Sequence, residues 1–163
     1  MFSSDIHDLA RNIIETYAAQ KRKIVTAESC TGGLVAAALT QIPGSSAVVE
    51  RGFITYSNEA KTEVLAVMGE EIAKYGAVSE QTAEAMAQGA LEFSRADVAV
   101  SVTGIAGPGG GTPEKPVGLV YLGLATRGGA LFHYKCNFGG DRDDVRMQAV
   151  REALKLLLSV TTD

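Results

Sequence analysis

The sequence predicts a three-layer α/β/α fold: a mixed, mostly parallel sheet with helices on both faces, ending in an antiparallel hairpin. Three patterns carry that expectation. Strand-like apolar runs alternate with helical stretches from Lys23 to Phe93. The run Asp97-Val98-Ala99-Val100-Ser101-Val102-Thr103 is rich in β-branched residues, the composition of a central strand buried on both sides. Two further runs, Val117 to Thr126 and Ala130 to Phe138, are separated only by Arg127-Gly128-Gly129, a hairpin signal.

Taken in order, Asp5 to Arg22 reads as an amphipathic helix, with Ile6, Leu9, Ala10, Ile13, Ile14 and Tyr17 at helical spacing and Ser4 as its cap. Lys23-Ile24-Val25 is a short strand and Leu34 to Leu39 a buried helix. Ile42-Pro43-Gly44-Ser45-Ser46 is a turn by composition. Val48 to Tyr56 is a second strand, in which Gly52 marks a bulge or a close neighbour. Ser57-Asn58 opens a helix over Glu59 to Val67 with Lys61 in its first turn, and Val78 starts a short extended piece. Ser79 caps a helix to about Phe93, rich in Ala and Glu. After the central strand and a long loop, Gly104 to Pro116, the hairpin leads through Gly139-Gly140-Asp141 into a last helix, Arg142 to Val160. That helix presents Val145, Ala149, Leu154, Leu157 and Leu158 to the core. No repeat or linker divides the chain, so one domain over residues 1–163 is expected.

Composition narrows the function. Of 163 residues 46% are hydrophobic and 21% charged, an ordinary globular balance. A net charge of −4 and the lack of a basic tract speak against nucleic acid and membrane surfaces as partners. Cys30 and Cys136 form neither a zinc spacing nor a disulfide framework. With Asp5 and Asp8 near the start instead of a basic-then-apolar leader, a cytoplasmic location is expected. His, Cys and carboxylates show no ligand spacing, so no metal or other cofactor is expected.

The chemistry centres on Thr26-Ala27-Glu28-Ser29-Cys30-Thr31-Gly32-Gly33. Ser29 lies between a strand's carboxyl end and a helix's amino end, where open α/β sheets bind ligands. Three readings are open: a nucleophile with backbone N–H groups around its oxyanion, a phosphate cradle, or an ordinary helix cap by Ser29 or Thr31. The loop Gly104-Ile105-Ala106-Gly107-Pro108-Gly109-Gly110-Gly111 is neither a dinucleotide fingerprint nor a P-loop, because Gly110-Gly111 stand where the latter needs Lys and Ser or Thr. It reads as a ligand loop at the end of the central strand, or as a mobile connection.

A nucleophilic Ser29 needs a base. His7 falls on the first helix and His133 in mid-strand, opposite in face to Phe132 and Tyr134, so a Ser-His-Asp triad is hard to build. Lys61 is the remaining candidate: a helix start and partial burial both disfavour its charge. The alternative is a solvated surface lysine. Tyr56 stands five residues before it, not the spacing of a reductase Tyr-x-x-x-Lys. Cys30 is a rival nucleophile, and with Glu28 and Lys61 would supply the residue types of a nitrilase-like amidase. Lysine suits a hydroxyl, which favours Ser29, and geometry decides.

These stretches together resemble a known family. The segment Thr26 to Gly33, then Arg51-Gly52-Phe53-Ile54-Thr55-Tyr56-Ser57-Asn58-Glu59-Ala60-Lys61, Thr103 to Pro108, Lys115-Pro116-Val117-Gly118 and Gly140-Asp141-Arg142 resemble, in this order, the CinA C-terminal domain family. The resemblance spans nearly the whole chain. It implies a nicotinamide-nucleotide amidase, converting nicotinamide mononucleotide and water to nicotinate mononucleotide and ammonia in pyridine-nucleotide salvage. It implies catalytic roles for Ser29, Tyr56 and Lys61, and site roles for Thr103 and Arg142. Longer members carry an N-terminal nucleotide-pyrophosphatase domain, whose metal-dependent activity is not expected here.

Residues and resemblance combine into an expected mechanism. Lys61 deprotonates Ser29, Ser29 attacks the carboxamide, and Tyr56 relays the proton or orients Lys61. N–H groups near Cys30, Thr31, Gly32 and Gly33, with Thr103, hold the oxyanion. Gly104, Gly107 and Arg142 hold the ribose phosphate. The expected partner is a small-molecule nucleotide, and a homo-oligomer stays open. Two other classes also stay open: a nucleotide-binding module without catalysis, which has no use for Lys61, and an amidase for another amide, which has no use for the phosphate site.

Overall fold

The computed structural model describes residues 1–161; positions 162–163 of the expected domain lie outside the described residues. Among the described residues six α-helices and five strands follow in the order α1 (Ser4–Ala19), β1 (Ile24–Glu28), α2 (Leu34–Thr40), β2 (Val49–Ile54), α3 (Asn58–Leu65), α4 (Gly69–Tyr75), α5 (Glu80–Glu92), β3 (Val98–Gly104), β4 (Leu119–Thr126), β5 (Leu131–Asn137) and α6 (Arg142–Ser159). The strands form one sheet in the order β2-β1-β3-β4-β5. β1 pairs in parallel with β2 and β3, while β4 runs antiparallel to both β3 and β5. Only β4 therefore opposes the common direction, and the sheet is mixed and mostly parallel.

Period-2 alternation distributes the sheet's side chains between two cores. Ile24, Val98, Val100, Val102, Val120, Leu122 and Leu124 pack in the core shared with α1, α2 and α6. Val25, Ala27, Ala99 and Ala125 pack in the other, with Leu65 of α3, Ile72 of α4 and Met86, Ala87 and Ala90 of α5. β3 lies in the middle of the sheet, and its side chains from Val98 to Thr103 are buried, as a central strand requires. The carboxyl ends of β1, β2 and β3 share one edge of the sheet, and the crevice beyond β1 and β3 lies at the topological switch point.

Several expectations are corrected in detail. α1 ends at Ala19, and Ser3, not Ser4, occupies its cap position, with the Ser3 hydroxyl bonded to Asp5. β1 continues to Glu28 because Thr26 and Glu28 are buried polar residues that an apolar-run criterion passes over. Val78 starts no strand. The segment before it holds α4, whose start at Gly69 and single buried residue, Ile72, gave little periodic signal. Gly52 does have a close neighbour: a Cβ there would lie 2.8 Å from Thr26 Oγ1. The register slip comes earlier, as Ile24 pairs with Val49 and Val25 with Arg51.

Candidate active site

Beyond the sheet's carboxyl edge lies a cavity of about 270 Å³ lined by Ser29, Cys30, Tyr56, Asn58, Lys61, Ala77, Val78, Thr103, Arg142 and the segment from Gly104 to Gly107 with Gly109 and Gly110. A larger cleft of about 560 Å³ at another part of the surface contains Arg22 and Arg127. Those guanidiniums bind the carbonyls of Val160 and of Leu91, Ser94 and Ala96, so size alone does not select the site.

Three strand ends assemble the smaller cavity. The Ser29 N–H donates to Val102 O at 2.9 Å, and Thr55 N–H donates to Glu28 O at 2.9 Å. The residues just past β1 and β2 are thus locked to their neighbours. α3 then begins under the Ser57 cap, whose Oγ accepts from Ala60 N–H at 3.0 Å. This fixes the direction in which Lys61 leaves the helix.

Lys61 is 1% exposed. Its Nζ lies 3.0 Å from Ser29 Oγ, 2.8 Å from Thr55 O and 3.3 Å from Tyr56 O. Among the described residues no carboxylate forms an ion pair with it. Burial without a counter-charge lowers its pKa below the ordinary lysine value. Two carbonyls can only accept, so they take two amine hydrogens; a neutral amine then offers its lone pair to the Ser29 hydroxyl.

Cys30 differs from its neighbour. It belongs to the core beneath α1, α2 and α6, and burial pushes its thiol up to about 11. At neutral pH it is a protonated, poorly nucleophilic thiol.

The expected anion cradle at the start of α2 is corrected. The Glu28 carboxylate, 1% exposed, reaches from β1 to accept Val35 N–H at 2.9 Å and Ala36 N–H at 3.1 Å. Gly32 N–H donates to Ser29 O, and Leu34 N–H to Thr31 O. Neither Ser29 nor Thr31 caps this helix; Glu28 does. Thr31, Gly32 and Gly33 shape the turn and do not line the cavity. Gly33, at φ +102°, lets the turn pass Ile54, whose Cδ1 would be 3.1 Å from an added Cβ. Among the described residues, the N–H groups of Cys30, Thr31 and Gly33 have no backbone acceptor.

Two more expectations shift. The Thr103 hydroxyl donates to Ala77 O at 2.7 Å, so its proton is committed to holding the 77–78 wall and is not free for an oxyanion. Tyr56 meets Lys61 and Ser29 through its backbone carbonyl, while its half-exposed phenol accepts from Arg142 Nη2 at 3.2 Å. The phenol therefore forms no relay between Ser29 and Lys61; orientation of the amine falls to the carbonyls. Arg142 donates through Nη1 to Gly107 O at 2.7 Å and has no carboxylate partner among the described residues. The histidines stand apart, His133 between Glu80 and Glu84 and His7 on α1.

One contributor escapes sequence reasoning. Arg146 donates to Cys30 O at 3.1 Å and Thr31 O at 3.4 Å, pinning the turn beside Ser29 to α6. Its only signal is the i, i+4 spacing to Arg142, which puts both on one helix face.

Fold and site define a doubly wound α/β domain with a serine hydroxyl bonded to a buried, carboxylate-free lysine at the switch point. The chain belongs to the CinA C-terminal domain family, which matches residues 6–161. It is 51% identical over 158 residues to the protein named nicotinamide-nucleotide amidohydrolase PncC of Escherichia coli (strain K12), covering 96% of this chain and 95% of that one. It is 48% identical to a putative competence-damage inducible protein of Caldicellulosiruptor bescii, where the match covers 96% of this chain but 38% of that protein. The crystal structure of the competence/damage inducible protein CihA from Agrobacterium tumefaciens superposes with a TM-score of 0.96 at 53% identity, over 98% of this chain and 97% of that one.

Proposed function

We propose that this chain is a nicotinamide-nucleotide amidase that uses Ser29 as nucleophile and Lys61 as base. The observation that carries the reading is the 3.0 Å contact between Lys61 Nζ and Ser29 Oγ, made by a lysine whose burial lowers its pKa. The substrate class is supported by the name of the Escherichia coli relative, which the chain matches almost end to end.

In the first step Lys61 takes the Ser29 proton as Oγ bonds to the carboxamide carbon. The backbone of Cys30, which lines the cavity beside Ser29, supplies an N–H donor to the developing oxyanion. When the carbon–nitrogen bond breaks, Lys61 returns that proton to the departing nitrogen and ammonia leaves. Water then attacks the Ser29 ester, Lys61 takes its proton, and Ser29 departs with it, leaving the free acid. Arg142 and the backbone of Gly107 to Gly110 bind the ribose phosphate. Residues 1–163 act as one amidase domain on a small-molecule nucleotide, and two free cysteines suit the reducing cytoplasm.

Ammonia release from nicotinamide mononucleotide by purified protein tests the reading. Steady turnover, abolished by Ser29→Ala, is the expected result. Absence of turnover under conditions where the protein is folded rejects it.

A further inference from the structure

The glycine-rich loop is exposed at every position from Pro108 to Val117 except one: Lys115 is half-buried. Its Nζ donates to Tyr75 O at 2.6 Å. Tyr75 is the last residue of α4, so the ammonium meets one of the carbonyls that a helix end leaves unpaired, at the negative pole of the helix. The base of this side chain is held as well. Thr112 N–H donates to Lys115 O at 2.8 Å, and Lys115 N–H donates to Thr112 Oγ1 at 2.9 Å. This closed turn of Thr112 to Lys115 fixes where the lysine leaves the loop.

Space for the ammonium comes from Gly76, where an added Cβ would sit 2.7 Å from Lys115 Nζ. The next residues, Ala77 and Val78, line the cavity together with Gly107, Gly109 and Gly110. Arg142 holds Gly107 to α6 on the other flank. The loop is thus strapped over the sheet edge between two helices, by one cation-to-carbonyl bond at each side.

We infer that Lys115 is a positioning residue that latches the glycine loop to the 76–78 wall and so sets the closed form of the substrate cavity; its kinetic consequence rests on the amidase reading above. Without the latch the loop spends less time closed. Apparent affinity falls in proportion to the closed fraction, while the Ser29–Lys61 chemistry in the closed form is unchanged.

The test uses the full chain, with Lys115→Met and Lys115→Arg. Lys115→Met should raise KM for nicotinamide mononucleotide about tenfold, corresponding to a closed fraction near a tenth, and leave kcat within about twofold. Lys115→Arg should recover most of the affinity, since a guanidinium can donate to the same carbonyl. Hydrogen–deuterium exchange should quicken over 108–117 in the methionine variant, with β3 and β4 unchanged. An unchanged KM together with unchanged exchange in the loop overturns the latch. Faster exchange spread through the whole chain also overturns it, by making Lys115 a general stability contact. If the wild type releases no ammonia, the amidase reading fails, and the exchange experiment alone still decides whether Lys115 holds the loop.

Discussion

At Lys61, burial and hydrogen bonding act on the same proton. Thr55 O and Tyr56 O accept from the amine, and its third direction meets Ser29 Oγ. Charging it without a carboxylate partner is unfavourable, which is the cause of the lowered pKa. Turnover should therefore rise with pH through that lowered pKa and level off above it. Lys61→Met should lose at least about a hundredfold in kcat, the low end for a general base, while retaining substrate affinity by calorimetry. Stability follows the same proton with a definite sign. Between the folded and unfolded lysine pKa values the unfolded chain binds more protons, so stability rises with pH across that window. Chemical denaturation of wild type against Lys61→Met should show the wild type gaining on the variant as pH climbs toward the ordinary lysine value. The neighbouring thiol gives the matching contrast: Cys30→Ala should keep most activity, because burial holds Cys30 protonated far above neutral pH. Loss of activity in Cys30→Ala with activity kept in Ser29→Ala would reverse the nucleophile assignment. Ser29 and Lys61 were legible in the sequence because Ser29 directly follows β1 and Lys61 stands in the first turn of the helix after β2. The commitments of the Thr103 proton and the Tyr56 phenol were not, since Ala77 and Arg142 become their neighbours only through the fold.

Among the elements, the junction of β1 and α2 is governed by one carboxylate. Glu28 satisfies two N–H groups of α2 from inside the sheet edge, complementing the positive end of that helix. With both oxygens in use, the turn from Ser29 to Gly33 needs no capping side chain of its own. Glu28→Ala should cost about 1–3 kcal/mol for the buried N–H groups left unpaired. Urea denaturation measures that cost, and activity should fall further than stability does, because the turn that aims Ser29 loses its anchor. A variant as stable as the wild type would show that water replaces the carboxylate at no cost. The long elements were readable where side-chain period and burial agree, as in β3, α5 and α6. Reading failed at β1's second half and at α4, for opposite reasons. Thr26 and Glu28 are polar yet buried, whereas Gly69 to Tyr75 buries Ile72 alone. Arg146 likewise looks like an ordinary surface charge on α6 until the turn at Cys30 and Thr31 is brought against it.

Across the whole molecule, the cavity joins residues that lie far apart in the chain: the turn after β1, the start of α3, the loop after β3 and the start of α6. Arg142 closes this circuit by touching both Gly107 O and the Tyr56 phenol. It uses one hydrogen on each terminal nitrogen for those contacts, which leaves guanidinium donors for an anion. With the start of α2 occupied by Glu28, the proposed phosphate site draws on Arg142 and the loop. Removing the phosphate, by supplying nicotinamide riboside, should then lower kcat/KM by roughly tenfold to 150-fold for each charge-assisted hydrogen bond lost. Arg142→Ala should reproduce part of that loss with the nucleotide and add little with the riboside. Its bond to Gly107 complicates a single comparison, because freeing the loop weakens both substrates. A double cycle of substrate and mutation removes the shared part and leaves the coupling between guanidinium and phosphate. Lys115→Met provides the control for that shared part: a change in the closed fraction scales both substrates alike and gives no coupling. Coupling at Arg142 without coupling at Lys115 assigns the phosphate to α6. If neither variant discriminates and the riboside is hydrolysed as well as the nucleotide, the cavity reads the carboxamide alone and the chain is an amidase of wider substrate range.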